Sequence, residues 1–201
     1  MKSQKEESFS ILVSDYQQSL GLVGLGAIVL KNDVIQAIAV SGERVVNSGI
    51  ALDVNDRWHI GSITKSVTST LIARLVEKQY LTWSTTIGDV FSSSKNLHDD
   101  WKNATILDLL RHTSGAPANF PLRVAFQKPE EGADRIGARR KVILKQLKKQ
   151  PHYLRGSQHI YSNVGYTIAG VLAEELTGRS WEDLVRSLLL KRGVKFPFRA
   201  S

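Results

Sequence analysis

Behind Gly61-Ser62-Ile63-Thr64-Lys65, apolar residues recur at Val67, Leu71, Ile72, Leu75 and Val76. That spacing fits a helix with one buried face, so the chain is expected to build a core around this segment. Ser62 and Lys65 stand three residues apart at its start and therefore share one face. A serine hydroxyl at its ordinary pKa is a weak nucleophile and needs an adjacent base. Lys65 can serve once its ammonium has lost a proton, which burial or a second nearby cation promotes. At the helix N-terminus, free N–H groups and the dipole favour negative charge on a reacting oxygen.

A second polar segment, Gln158-His159-Ile160-Tyr161-Ser162-Asn163-Val164-Gly165-Tyr166, also stands where a loop meets a helix pattern. The stripe Val164, Ile168, Val171, Leu172 and Leu176 is stopped by Gly178. Tyr161 can gain and lose a proton, and the Asn163 amide both donates and accepts, which suits a second catalytic group in acyl transfer. Between the two segments lies Leu109-Leu110-Arg111-His112-Thr113-Ser114-Gly115, read as a helix end closed by glycine.

In this order the three segments resemble the serine β-lactamase-type hydrolases, the family of class C β-lactamases, DD-peptidases and related esterases, over about residues 10–190. The resemblance implies an α+β fold, an α/β sandwich plus a helical subdomain of the β-lactamase/transpeptidase-like type. It implies that Ser62 is the acylated nucleophile and Lys65 its proton acceptor. Tyr161 would carry a proton to the leaving group, and Asn163 would hold the substrate amide or Lys65 itself. Which group acts as base is disputed for such sites, so Lys65 and Tyr161 are read as a coupled pair. Asn119, after the Ser114-Gly115-Ala116-Pro117 turn, is a candidate for the substrate-binding cleft, against a plain role in shaping the turn. The substrate implied is a small-molecule amide, β-lactam, peptide or ester, with no metal and no cofactor.

The chain also departs from the family. Members carry a third motif far downstream, Lys or His followed by a small residue and Gly on a strand. His112-Thr113-Ser114-Gly115 precedes the second motif, and Lys191-Arg192-Gly193 follows it too closely to fill that place. The expectation is a truncated or frameshifted chain, with a catalytic domain over 10–190, a basic tail over 191–201 unlike the family, and the C-terminal sheet strands missing. One oxyanion donor would go with those strands, a loss worth about 10²–10³ in rate. The first hairpin would be left with an open edge. A second reading therefore stands beside the hydrolase: an inactive fragment acting at most as a binding or interaction protein.

Gly26 to Leu30, a Lys31-Asn32-Asp33 turn and Val34 to Val40 read as a hairpin, with Gly24-Leu25-Gly26 as punctuation before it. Thr105 with Asp108 reads as a capping box, and Ser180 with Asp183 opens a helix bearing Trp181, Leu184 and Leu188. At 201 residues and 42% hydrophobic content the chain can bury one sizeable core. No run approaches the ~20 apolar residues of a bilayer helix. Residues 1–10 carry charges of both signs and no apolar stretch, so no secretory signal is visible and the compartment stays open. The absence of Cys removes thiol catalysis and disulfides.

Much of the net charge of +8 lies in Arg139, Arg140, Lys141, Lys145, Lys148, Lys149 and Arg155, with no acidic residue among them. The stretch reads as a solvated helix face with Val142, Ile143 and Leu147 turned inward. It lacks the interleaved aromatics that stack on single-stranded bases, so no nucleic-acid partner is expected. His112 reads as a C-terminal cap or packing residue rather than a base. His59 lacks a Gly-x-Ser-x-Gly elbow at Ser62, and His152 and His159 lack metal-ligand spacing.

Overall fold

The computed structural model describes residues 4–94, 96–125 and 134–190; the basic tail expected over 191–201 lies outside the described residues. The chain forms two compact units, divided between His59 and Ile60.

The first unit holds helix α1 (Gln4–Ser19) and an antiparallel hairpin of β1 (Gly24–Lys31) and β2 (Val34–Gly42). Asn32 and Asp33 both have positive φ, 50° and 61°, the two-residue turn whose twist suits a hairpin. The turn is therefore one residue shorter than the sequence suggested, and Lys31 belongs to the strand. The strand also starts two residues earlier than Gly26, so that Gly24 lies inside β1 rather than ahead of it. A Cβ at Gly24 would meet the Leu52 side chain, and one at Gly26 would come within 3.2 Å of the Trp58 ring. Between Val29 and Leu30 the register shifts, leaving Gln36 as the extra residue of a bulge. Helix α1 packs on β2, where Ala37 and Ala39 are buried, and the Ser41 hydroxyl donates to Gln17 Oε1 at 3.2 Å. Among the described residues these are the two strands of the sheet.

The second unit is helical. A 3-10 turn, Gly61–Ile63, leads into α2 (Thr64–Glu77). Then come α3 (Ile87–Val90), α4 (Asp99–Lys102), α5 (Ile106–Leu110), α6 (Leu122–Ala125), α7 (Arg135–Leu147), α8 (Asn163–Thr177) and α9 (Trp181–Leu188). Helix α8 is the hub, packing on α2, α3, α5, α7 and α9. The stripes foreseen from the sequence supply its core: Leu71, Ile72 and Leu75 from α2 and Val164, Ile168, Val171 and Leu172 from α8 are all buried, against Ile106, Leu109, Ile143, Leu147 and Leu184. Each large aliphatic side chain so buried contributes about 1.5–3 kcal/mol relative to exposure.

The helix ends follow their capping residues. Thr105 and Asp108 form the capping box of α5, Ser180 accepts from the Asp183 N–H at the start of α9, and Gly178 ends α8 with φ 66°. The basic stretch needs one correction. Ile143 and Leu147 do turn inward, but Arg139 is half-buried rather than a freely solvated side chain. It forms ion pairs with Glu174 of α8 and Glu182 of α9, while Arg140 pairs with Glu175 and Arg155 with Asp108. The acids absent from the local sequence come from other helices.

Candidate active site

All five candidate residues lie in the second unit, and the structure brings their side chains together. Ser62 sits in the 3-10 turn at the mouth of α2, one turn before Lys65. Tyr161 and Ser162 end the loop before α8, and Asn163 is the first residue of that helix. Because α2 and α8 pack on each other, the two helix starts present their polar side chains to one spot.

There, Ser62 Oγ accepts from Tyr161 Oη at 2.6 Å and from Lys65 Nζ at 3.2 Å. The Lys65 ammonium also donates to Asn163 Oδ1 at 2.5 Å, and Asn163 Nδ2 donates to Asn119 Oδ1 at 2.6 Å. Asn163 thus engages Lys65, and Asn119 orients Asn163. Lys65 Nζ lies 4.6 Å from the Tyr161 ring centroid and 5.7 Å from that of Tyr166, in cation–π range. The Tyr161 phenol is held below its ordinary pKa, first by the neighbouring Lys65 and then by its hydrogen bond with Ser62. Tyr166 moves the other way, raised by burial and by the neighbouring Tyr161.

A loop that the motif reading left largely unexplained holds this arrangement. Residues 112–118 run beside residues 152–163 and are stitched to them. The Ile160 N–H donates to the His112 carbonyl at 2.9 Å, Gly156 N–H to Thr113 at 2.8 Å, and His152 N–H to Gly115 at 2.9 Å. Ser162 Oγ donates to the Pro117 carbonyl at 2.6 Å while accepting from the Gly165 N–H at 2.8 Å, so it caps α8 and anchors it. Asn163 N–H donates to Ala118 at 2.7 Å. Gly115, at φ 85°, is required because a Cβ there would run into the Tyr153 carbonyl.

Gly115 does not close α5, however. His112 does, at φ 61°, with its own N–H bonded to Leu109 O at 3.3 Å and the Thr113 N–H to Asp108 O at 2.9 Å, the paired bonds of a Schellman ending. The sequence reading of His112 as a cap is thus met in detail. Its contacts with the Tyr161 loop had no sequence signal beyond the choice of histidine where glycine is the usual residue.

Among the described residues no group of three or more His, Asp or Glu side chains is arranged to hold a metal ion. A cavity of about 540 Å³ lined by Thr86, Asp89, Phe91, Asp99 and Lys102 contains none of the five candidate residues. No helix among the described residues is long and apolar enough to cross a membrane.

The chain matches the Beta-lactamase family model over residues 9–197. It is 31% identical over 100 residues to an N-acetylmuramyl-L-alanine amidase of Bacillus subtilis, covering 47% of this chain and 22% of that protein. It is 26% identical over 188 residues to a beta-lactamase of Pseudomonas fluorescens, covering 92% of this chain and 48% of the relative. A solved class C beta-lactamase superposes with a TM-score of 0.72 at 19% identity, covering 94% of this chain and 50% of the other. The chain therefore spans about half or less of the length of the relatives it matches. The structural likeness bears out the α+β, β-lactamase/transpeptidase-like fold anticipated from the motifs, and with a family model matching over nearly its whole length, the chain belongs to the Beta-lactamase family.

Proposed function

We propose that the chain is a serine hydrolase that acylates Ser62 with an amide, β-lactam or ester substrate and then hydrolyses the acyl-enzyme. The observation that carries this reading is the convergence of Tyr161 Oη and Lys65 Nζ on Ser62 Oγ at 2.6 and 3.2 Å. Both groups are within reach of the proton that must leave the hydroxyl. In the first half-reaction one member of the coupled pair is unprotonated, Lys65 as the neutral amine or Tyr161 as the phenolate; it takes the hydroxyl proton as Ser62 Oγ bonds to the substrate carbonyl carbon. The carbonyl oxygen becomes the oxyanion, for which the Ser62 backbone N–H is a donor. When the C–N or C–O bond breaks, Tyr161 returns the proton to the departing amine or alcohol. Water then attacks the acyl ester, the same pair takes its proton and returns it to Ser62 Oγ as the acyl C–Oγ bond breaks, and the acid product leaves with Ser62 regenerated. Asn163 and Asn119 serve here as substrate-binding and aligning groups, Asn163 through its grip on Lys65.

The relatives' names, an amidase and a beta-lactamase, support the substrate class. The test is turnover of a p-nitrophenyl ester and of a chromogenic β-lactam by the chain, its Lys65→Ala variant and its Ser62→Ala variant. The reading predicts release of product that Ser62→Ala abolishes and Lys65→Ala slows severely. Product formation that persists in Ser62→Ala overturns it. Absence of turnover by a folded chain also overturns it, in favour of a binding or interaction protein.

A further inference from the structure

A non-glycine residue at a left-handed backbone position is uncommon, histidine being among those that tolerate it best, and glycine would occupy it without steric cost. At His112 the exception coincides with three contacts to one neighbour. The His112 carbonyl accepts from the N–H of Ile160 at 2.9 Å, its Nδ1 accepts from the N–H of Ser162 at 3.0 Å, and its ring lies against Tyr161 with centroids 4.7 Å apart. Main chain and side chain of one residue thus grip the segment immediately before and after Tyr161. The same ring touches Tyr166 at 5.1 Å, and Tyr166 Oη donates to the Leu110 carbonyl at 3.1 Å in the last turn of α5. Nothing in the cap itself needs an imidazole. Backbone strain kept at such a point is a pointer to function.

We infer that His112 is a positioning residue for Tyr161: acting as a hydrogen-bond acceptor through Nδ1, it fixes the loop so that the phenol meets Ser62. The inference rests on the serine hydrolase reading for its catalytic consequence, while its structural claim stands apart from it. Nδ1 can accept only while unprotonated. The surroundings favour that state. Burial first, and then the His159 ring 5.5 Å away and the Lys65 ammonium, hold His112 below its ordinary pKa. The titratable or charged groups facing it are His159, Lys65, Tyr161 and Tyr166. Protonation would place two N–H groups head to head at Ser162 and release one side of the grip.

The test compares His112→Asn with His112→Gly. Both residues accept a positive φ, but only asparagine keeps an acceptor near the Nδ1 position. Two readouts are taken on chains shown to be folded by circular dichroism: Tyr161 ionisation by tyrosine Cζ-labelled NMR, assigned with Tyr161→Phe, and acylation of Ser62 by a p-nitrophenyl ester. The expected results are a Tyr161 titration below that of a free phenol in the native chain and in His112→Asn, and an upward shift in His112→Gly. Acylation should fall by roughly 10²-fold in His112→Gly, the scale of a misplacement of about 1 Å, and by much less in His112→Asn. The native Tyr161 signal should also show a step below pH ~6.5, from His112 itself, that His112→Asn lacks. This pH comparison decides the matter if His112→Gly does not fold. Native-like titration and acylation in His112→Gly, or no difference between the native chain and His112→Asn in the acid step, overturns the inference. If the native chain is not acylated but Tyr161 responds as described, the hydrolase reading fails and the positioning role stands.

Discussion

Arg139 offers the sharpest quantitative prediction. The Glu174 side chain has no exposed surface, Glu182 is 15% exposed and Arg139 28%. Glu174 accepts from Arg139 through Nη2 at 2.5 Å and Nε at 3.2 Å, and from the Trp181 N–H at 2.7 Å. Arg139→Met removes the only countercharge that Glu174 touches among the described residues and leaves the Trp181 N–H as its donor. Breaking a buried pair from one side typically costs about 3–5 kcal/mol. Partial exposure of Arg139 admits water, which argues for the lower end, about 3 kcal/mol. For a chain of this size that lowers Tm by roughly 6–12 °C. Thermal unfolding followed by circular dichroism reads this directly. Arg139→Met/Glu174→Gln removes the stranded charge and keeps an acceptor for Trp181, so it should regain at least half of the loss.

The pH dependence carries a sign. Burial pushes the Glu182 carboxyl up, but its bonds to Arg139 win and hold it below its ordinary pKa. Its contribution is therefore complete above the unfolded value of about 4.3 and is lost as pH falls through the folded value. Once Arg139 is removed, the burial that pushes the Glu182 carboxyl up is no longer offset by that guanidinium, so this part of the stability and its loss in acid both shrink. A loss under ~1 kcal/mol at pH 7, the value of an exposed pair, would refute this reasoning, as would an equal loss with Gln at position 174.

Two further outcomes are expected. Acylation should accelerate with pH through the ionisation of Tyr161, with a midpoint below that of a free phenol at ~10, and Tyr161→Phe should erase that limb and slow acylation by roughly 10²–10⁴ in stopped-flow assays. Thr105→Ala should destabilise the chain by about 1 kcal/mol in urea unfolding. Asp108 is pushed up by burial but held below its ordinary pKa by Thr105 and Arg155, so this variant should also lose part of the stability that disappears as pH falls below ~4.

Helices α2, α5, α8 and α9 were legible in the sequence because their signals are local, whereas the single turns α3, α4 and α6 are too short to show a period. The stripes of α2 and α8 repeat over several turns, and Thr105, Ser180 and Gly178 mark helix ends by their own side-chain or backbone chemistry. The meeting of Ser62, Lys65, Tyr161 and Asn163 was anticipated only through the resemblance, since contacts across 98 or 99 residues leave no periodic trace. Helix α1 went unseen because Val13 is its one buried side chain, too little to set a period. Arg139 was misread because its partners lie 35 and 43 residues away. His112 was recognised as a cap, whereas its hold on Tyr161 depends on the stitching of two loops.

The most direct test of the central claim is the intact mass of the chain after incubation with benzylpenicillin and, separately, with an activated ester, followed by peptide mapping. The account predicts one acyl group per chain, carried on Ser62 and absent from Ser62→Ala. An adduct on another residue, or no adduct on a folded chain, would contradict it.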